Sequence, residues 1–159
     1  MKTKAHHILK DLDGNDLEIV SWSAKYATGI STIDKQHREL VDLTNVLFRA
    51  CLHMGENIDT AFRTAMSNLV KYVRFHFSDE QTLLKRIGFP GCTEHEKEHD
   101  DLIKEILEAS KNYGAGKKYV PNYCVRMLKD WIFSHIAVSD LVYSTYVREQ
   151  KKKGLLTDL

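Results

Sequence analysis

The sequence lacks an excess of charge of either sign and lacks any long apolar run. It has 23 basic and 22 acidic residues, for a formal net charge of +1, a balance that does not favour a nucleic-acid or membrane-surface partner. No stretch approaches the roughly 18 consecutive apolar residues of a membrane-spanning helix. The first segment, MKTKAHHILKDLDG, lacks the apolar core of a secretory signal. We therefore expect no nucleic-acid and no membrane partner, and the sequence identifies no protein partner.

Cysteine is also scarce. The three cysteines, Cys51, Cys92 and Cys124, are odd in number and scattered, and none belongs to a CxxC pair. This pattern excludes a disulfide framework and is typical of free thiols in a reducing compartment. Together with the missing secretory signal, it predicts a cytoplasmic location.

Glycine and proline, which most often interrupt regular secondary structure, number only eight and two in 159 residues. A chain of this length forms one ordinary domain. Between the interruptions lie four long segments whose apolar residues recur at helical spacing. The sequence predicts helices over residues 31–54, 59–87, 93–113 and 121–152, the first three followed by Gly55, Gly88 and Gly114.

Polar residues and a proline mark three of the predicted helix starts. Ser31 with Asp34, and Thr93 with Glu96, have the spacing of a capping box, in which each side chain satisfies a backbone N–H of the first turn. Pro121 stands where proline is tolerated, in the first turn. These signals predict where the first, third and fourth helices begin.

The connections between the predicted helices are only a few residues long, which favours antiparallel neighbours. The predicted fold is therefore all-α, an up-down-up-down antiparallel four-helix bundle. We expect an N-terminal arm over residues 1–30, the bundle over residues 31–153 and a C-terminal tail over residues 154–159.

Six of the eight histidines fall within the predicted helices, and four of these are paired with a second metal-ligand residue on the same helix. A spacing of four residues places two side chains on one helical face, where they can converge on one metal ion. Each pair alone is a weak signal, because random placement of eight histidines gives about 0.4 HxxxH matches. The set consists of His37 on the first helix, His76 and Glu80 on the second, His95 and His99 on the third, and His135 and Asp140 on the fourth.

The positions of these residues along the bundle axis argue against a chance arrangement. At about 1.5 Å per residue in antiparallel helices, all seven fall in the same half of the bundle. His53 lies near the opposite end of the bundle, and His6 and His7 lie in the N-terminal arm, so we interpret all three as solvated or hydrogen-bonded side chains. The five-residue step from His135 to Asp140 turns an ideal helix by about 140°. We therefore expect a locally widened turn there, or an aspartate that reaches sideways to bridge.

Five imidazoles and two carboxylates indicate the kind of metal. The set is too rich in nitrogen for magnesium or calcium and too large for one zinc, so it predicts a pair of first-row transition metals. If both carboxylates and one further oxygen bridge the two ions, one coordination position is left open for a small ligand.

These residues resemble those of the hemerythrins, most closely the bacterial single-domain hemerythrins. The resemblance covers about residues 20–150, and its segments are IDKQH ending at His37, HFSDE from His76, FPGCTEHEKEH ending at His99 and HIAVSD from His135. It implies two non-haem iron ions bridged by an oxo or hydroxo group, with dioxygen as the ligand. By this resemblance one six-coordinate iron is held by His95, His99 and His135, the iron with the open position by His37 and His76, and both by the bridging Glu80 and Asp140.

The same resemblance implies an apolar oxygen pocket formed by Leu40, Phe77, Trp131, Ile132 and Ile136. A plain core role for these residues is compatible with that interpretation, because the pocket is part of the core. We expect reversible dioxygen binding for storage, delivery or scavenging, without catalytic residues. The alternatives are a sensor of oxygen, redox state or nitric oxide, and a diiron oxidase or peroxidase. Histidine-rich ligation favours binding over cleavage of the O–O bond.

Overall fold

The computed structural model describes residues 17–52 and 58–156. These residues form helices and turns, and the described part of the chain contains no β-strand. The elements are a short 3-10 helix Ala24–Tyr26, then α1 Ser31–Leu52, α2 Ile58–Arg86, α3 Cys92–Gly114, α4 Val120–Trp131, a π-helix Ile132–Ser139 and α5 Asp140–Lys152. Because α4, the π-helix and α5 follow one another directly, together they form the fourth helix of the bundle.

The helices pack as a ring of neighbours. α1 packs against α2 and α4, and α3 packs against the same two helices. Sequential helices joined by short loops are therefore adjacent, which confirms the predicted up-down-up-down bundle. The 3-10 helix of the N-terminal arm lies against the π-helix.

Gly88 ends α2, as the sequence predicts. Its φ of 66° lies in the left-handed region that glycine adopts without steric cost. The backbone N–H of Phe89 donates to the Leu84 carbonyl at 3.0 Å, which satisfies an otherwise unpaired carbonyl in the last turn. The chain can therefore reverse into α3 within a few residues.

Neither predicted capping box forms. The Asp34 carboxylate accepts hydrogen bonds from the backbone N–H groups of Thr28 and Gly29 and from the Thr28 hydroxyl. It therefore anchors the arm to α1 instead of pairing with Ser31. α3 begins one residue earlier than expected, with Gly91 at the N-cap and no side-chain cap.

Other predicted boundaries have mixed outcomes. Thr93 lies inside α3, and Glu96 contacts the Lys85 ammonium at 3.4 Å. Pro121 occupies the first turn of α4, as expected. The predicted end of the first helix at Met54, and His6, His7 and His53, lie outside the described residues.

Buried side chains form two apolar clusters. The larger core cluster includes Leu40, Phe62, Leu69, Phe77 and Ile136. The smaller core cluster lies toward the other end of the bundle and contains Ile30, Ile33, Leu83, Leu84, Ile87, Tyr143 and Val147. Along α1, α2 and the fourth helix, the predicted metal ligands lie between residues of the two clusters, so a buried polar layer separates two apolar ones.

Two further expectations concern the thiols and the membrane. Cys51, Cys92 and Cys124 are free thiols, as predicted. Burial raises the pKa of Cys51 to about 11 and that of Cys124 to about 12, so these two thiols stay protonated at neutral pH. Among the described residues, no helix combines the length and apolar character needed to cross a bilayer.

Candidate metal centre

All seven predicted ligands meet in the polar layer between the two core clusters. His95 is 4% exposed and the other six are at most 1% exposed. Their donor atoms come from every helix of the bundle, so the site forms only when the bundle folds. Water is excluded from side chains that would ordinarily be hydrated, which raises the energetic cost of leaving them unpaired.

Asp140 stands between the two sides of the site. Its Oδ2 lies 3.2 Å from His37 Nε2, and its Oδ1 lies 3.1 Å from His135 Nε2 and 3.5 Å from His95 Nε2. The two oxygens of one carboxylate therefore face different histidines. A carboxylate in this position can hold two cations together.

Glu80 lies beside Asp140 at the centre of the site. Its Oε2 lies 3.2 Å from the Nε2 atoms of both His95 and His99, and 3.8 Å from His76 Nε2. Its other oxygen, Oε1, lies 3.8 Å from His37 Nε2. The carboxylate of Glu80 is thus in reach of histidines from α1, α2 and α3.

The donor atoms form two groups that share Glu80. One consists of Glu80, His95, His99 and His135, and the other of His37, His76 and Glu80. Within each group the donor atoms lie within 4.8 Å of one another, close enough to surround one cation. His99 Nε2 and His135 Nε2 are only 2.8 Å apart, an arrangement suited to two lone pairs that point at the same ion.

The π-helix brings Asp140 to the same face as His135. The backbone N–H of Asp140 donates to the carbonyl of His135, five residues earlier. A π-turn holds one more residue than an α-turn. A five-residue step therefore brings Asp140 back close to the face of His135, as the expected widened turn requires.

Several buried atoms at this centre have no hydrogen-bond partner among the residues that the structure describes. They include His37 Nε2, His76 Nε2 and both carboxylate oxygens of Asp140. Buried polar atoms in native proteins are nearly always paired, because desolvating them without a partner is costly. Lone pairs left unpaired at one point, on imidazole and carboxylate groups, fit a pair of first-row transition-metal ions.

The protonation states of the histidines support the same conclusion. Burial, reinforced by repulsion from His76, lowers the pKa of His37 to about 3. Burial likewise lowers the pKa of His99 to about 4 and lowers that of His76. These imidazoles are neutral at pH 7, the form in which a ring nitrogen offers a lone pair to a metal.

The pKa values of the remaining titratable groups are subject to opposing effects. Burial and the neighbouring charge of Glu80 raise the pKa of Asp140 to about 6. Burial also opposes ionisation of Glu80, but hydrogen bonds from His95 and His99 hold the pKa of that carboxyl well below its ordinary value. Burial alone would lower the pKa of His135, yet the contact with Asp140 raises it.

Three residues that the sequence did not reveal contact the predicted ligands. Gln36 Oε1 lies 2.9 Å from His76 Nδ1, and Glu98 Oε2 lies 2.6 Å from His135 Nδ1. The Tyr143 hydroxyl donates to Glu80 Oε1 at 2.5 Å. The only sequence signal was proximity: each of the three lies within three residues of a predicted ligand, but polar residues are common there.

The charge states of two of these contacts follow from their surroundings. Partial burial raises the pKa of Glu98, but hydrogen bonds from Ser139 and His135 outweigh it and lower the pKa below the ordinary value. Burial and the charge of Glu80 raise the pKa of Tyr143 well above its ordinary value. Glu98 is therefore a carboxylate at pH 7, and Tyr143 keeps its proton.

The five predicted pocket residues lie on one side of the donor layer. Leu40, Phe77, Ile132 and Ile136 belong to the larger core cluster, and the partly buried Trp131 packs against it. The Phe77 ring stacks on His99 with centroids 3.6 Å apart, and the Trp131 ring stacks on His135 at 4.3 Å. A surface groove between α3 and α4 includes Trp131 but none of the seven donors.

Comparisons with known proteins agree with this geometry. The hemerythrin HHE cation binding domain matches residues 28–147 of the chain. A bacteriohemerythrin of Stenotrophomonas maltophilia is 29% identical over 132 residues, covering 83% of this chain and 84% of that protein. A bacteriohemerythrin of Pseudomonas paraeruginosa is 32% identical over 127 residues, covering 80% of each.

A solved structure extends the likeness to the fold. The crystal structure of a wild-type hemerythrin superposes with a TM-score of 0.73 at 26% identity, covering 80% of this chain and 96% of that one. The matched region contains all seven donors, and the match extends over most of the chain. The chain belongs to the hemerythrin family.

Proposed function

We propose that this protein binds dioxygen reversibly at a non-haem diiron centre. The observation that carries the proposal is the buried cluster of five imidazoles and two carboxylates, with unpaired donor atoms at its centre. The relatives named bacteriohemerythrin support the same function. The proposed iron ligands are His37, His76, Glu80, His95, His99, His135 and Asp140.

The two donor groups suggest how the ligands are divided. His95, His99 and His135 would hold one iron, and His37 and His76 the other, with Glu80 and Asp140 bridging. The shared position of Glu80 and the two-sided contacts of Asp140 support this division. The iron on the His37 side has one histidine fewer, so we place the open coordination position there.

Apolar residues around the centre would control what reaches it. When bound, an iron pair supplies the electrons and the open coordination position that a dioxygen ligand needs. Leu40, Phe77, Ile132 and Ile136 are at most 3% exposed and exclude water from that side of the donors. Excluding water slows proton-dependent side reactions and thus favours reversibility.

Binding rather than enzymatic cleavage follows from the missing proton source. None of the five pocket residues is a general acid, and cleavage of an O–O bond calls for a proton donor or strongly donating ligands. The phenol of Tyr143 stays protonated, and its hydroxyl is already engaged as the donor of a hydrogen bond to Glu80. Its role is to hold the Glu80 carboxylate in place.

The free thiols support the proposed cytoplasmic location. A reducing compartment keeps thiols unpaired, and the raised pKa values of Cys51 and Cys124 make them unreactive. Fractionation of the native host with a cytoplasmic marker tests this proposal. Recovery with the periplasmic or membrane fraction would contradict it.

Metal analysis tests the proposed centre. The purified protein, reconstituted with ferrous iron under anaerobic conditions, should hold two irons per chain. Its absorption spectrum should change on admission of oxygen and return on removal of oxygen. One zinc per chain at full occupancy with no uptake of iron would contradict the proposal.

A further inference from the structure

Two of the five histidines make hydrogen bonds through the ring nitrogen that faces away from the centre. These are His76, whose Nδ1 meets the amide oxygen of Gln36, and His135, whose Nδ1 meets the carboxylate of Glu98. Within the described ranges 17–52 and 58–156, His37 Nδ1 and His99 Nδ1 have no such partner. Because the two contacts lie in different donor groups, each side of the centre has one oriented histidine.

The orientation of the Gln36 amide is determined by its second contact. Gln36 Nε2 donates to the Asp79 carboxylate at 2.8 Å, so the amide oxygen is the atom that faces His76. A carboxylate cannot donate, which excludes the flipped amide. His76 Nδ1 therefore carries the proton, and its Nε2 lone pair faces Glu80.

The contact at His135 has a different chemical character. Glu98 Oε2 lies 2.6 Å from His135 Nδ1, the short distance of a hydrogen bond to a charged acceptor. The Glu98 side chain is 47% exposed, so its charge needs no buried counter-ion.

We propose that Glu98 and Gln36 are positioning residues that make the two iron positions electronically unequal. The inference rests on the proposed function, because it assumes that His76 and His135 bind iron. Both partners fix the ring orientation and the tautomer. Only Glu98 adds a full negative charge to the proton of its histidine.

A carboxylate on the outer nitrogen makes a metal-bound histidine a stronger electron donor. A stronger donor favours ferric over ferrous iron, so it lowers the reduction potential. A neutral amide oxygen has a weaker effect. The iron held by His95, His99 and His135 therefore receives more electron density than the iron held by His37 and His76.

Three variants separate this effect from a merely structural one. Glu98→Gln replaces the carboxylate with an amide of the same shape. The double variant Gln36→Glu, Asp79→Asn moves a carboxylate onto His76 Nδ1, keeps a donor for it at position 79 and conserves net charge. Glu108→Gln, at an exposed position of α3, removes the same charge as Glu98→Gln and is the control.

The first measurement needs no iron. Nitrogen-15 NMR of the iron-free protein should show Nδ1 protonated in both His76 and His135, with a proton resonance of His135 that moves in Glu98→Gln and not in Glu108→Gln. An unprotonated Nδ1 in His135 would overturn the proposal.

The second measurement is a redox titration of the iron-loaded protein. Outer partners of metal-bound histidines typically change metal affinity by about 10–100-fold. We expect the ratio of ferric to ferrous affinity to fall about tenfold in Glu98→Gln, which raises the midpoint potential by about 59 mV for a one-electron step. The double variant should lower it, and Glu108→Gln should leave it unchanged.

The outcomes distinguish the inference from the function on which it rests. Two irons per chain in every variant with one common midpoint potential would overturn the inference and leave the diiron centre intact. If the unmodified protein takes up no iron, the proposed function fails and the inference fails with it.

Discussion

His135 and Asp140, five residues apart, face the same point because the helix between them is a π-helix. His135 Nε2 lies 3.1 Å from Asp140 Oδ1, and the Asp140 backbone N–H donates to the His135 carbonyl. In an α-helix the same step would turn Asp140 about 140° away from His135. The widened turn thus allows one helix to supply donors to both sides of the centre.

Loss of Glu80 should be the most damaging change at the centre. Glu80→Ala removes the carboxylate shared by both donor groups and leaves two cations with little between them to screen their repulsion. We expect iron content to fall to half or less of the unmodified value, measured by metal analysis after anaerobic reconstitution. Glu108→Ala, the exposed control on α3, should retain two irons. Equal iron content in both would contradict the role assigned to Glu80.

Asp140→Asn should weaken iron binding and stabilise the iron-free protein at neutral pH. The pKa of Asp140 is raised from 3.8 to about 6 in the fold, chiefly by burial. The folded state binds the proton more tightly than the unfolded state, so this group favours folding below pH 3.8. That stability is lost as pH rises through about 6. At pH 7 the buried charge of Asp140 destabilises the iron-free fold, and asparagine removes that charge.

The size and pH dependence of this gain are measurable by urea unfolding of the iron-free proteins. A shift of this size corresponds to about 1–3 kcal/mol, and the gain should be present at pH 7 and small at pH 4. An iron-free Asp140→Asn protein that is less stable than the unmodified one at pH 7 would contradict the prediction.

The Tyr143 hydroxyl should slow the loss of iron. Tyr143→Phe leaves Glu80 Oε1 without its donor, and second contacts of this kind typically change metal affinity by about 10–100-fold. We expect faster transfer of iron to a ferrous chelator, followed by absorbance. Tyr146→Phe is the matched control, because the Tyr146 hydroxyl bonds to the backbone carbonyls of Ile87 and Gly88 and not to a predicted ligand. Identical rates of iron release in the two variants would contradict a role of Tyr143 in iron retention.

Azide should bind the oxidised iron on the His37 side of the centre. That donor group has two histidines where the other has three, so an exogenous anion finds its open position there. A crystal structure of the azide complex shows which iron carries the ligand. Azide on the iron held by His95, His99 and His135 would reverse the assignment.

The candidate donors could be predicted from the sequence because helical spacing pairs most of them and all seven lie at a similar height in the bundle. His76 and Glu80, or His95 and His99, are four residues apart and must share a face wherever the helix packs. The antiparallel arrangement of the helices then places these pairs at similar positions along the bundle axis. The five-residue spacing of His135 and Asp140 also predicted a distorted turn, because a regular α-helix does not place two residues at that spacing on one face.

The contacts around the donors were not predictable in the same way. Gln36 and Glu98 reach histidines on other helices, so their roles depend on side-chain rotamers and on how neighbouring helices are rotated. The two capping boxes failed for a related reason. Asp34 and Glu96 had alternative partners, the arm at Thr28 and the Lys85 ammonium, that only the folded chain brings close.

Reversible oxygenation of the diferrous protein tests the central claim most directly. Anaerobic protein loaded with two irons per chain should be titrated with dioxygen, flushed with inert gas and titrated again, while the absorption spectrum and hydrogen peroxide are followed. We expect one dioxygen bound per iron pair, return of the diferrous spectrum on flushing, and many cycles before the irons oxidise. Irreversible oxidation in the first cycle, or sustained turnover that consumes a reductant together with oxygen, would contradict reversible binding as the function of this protein.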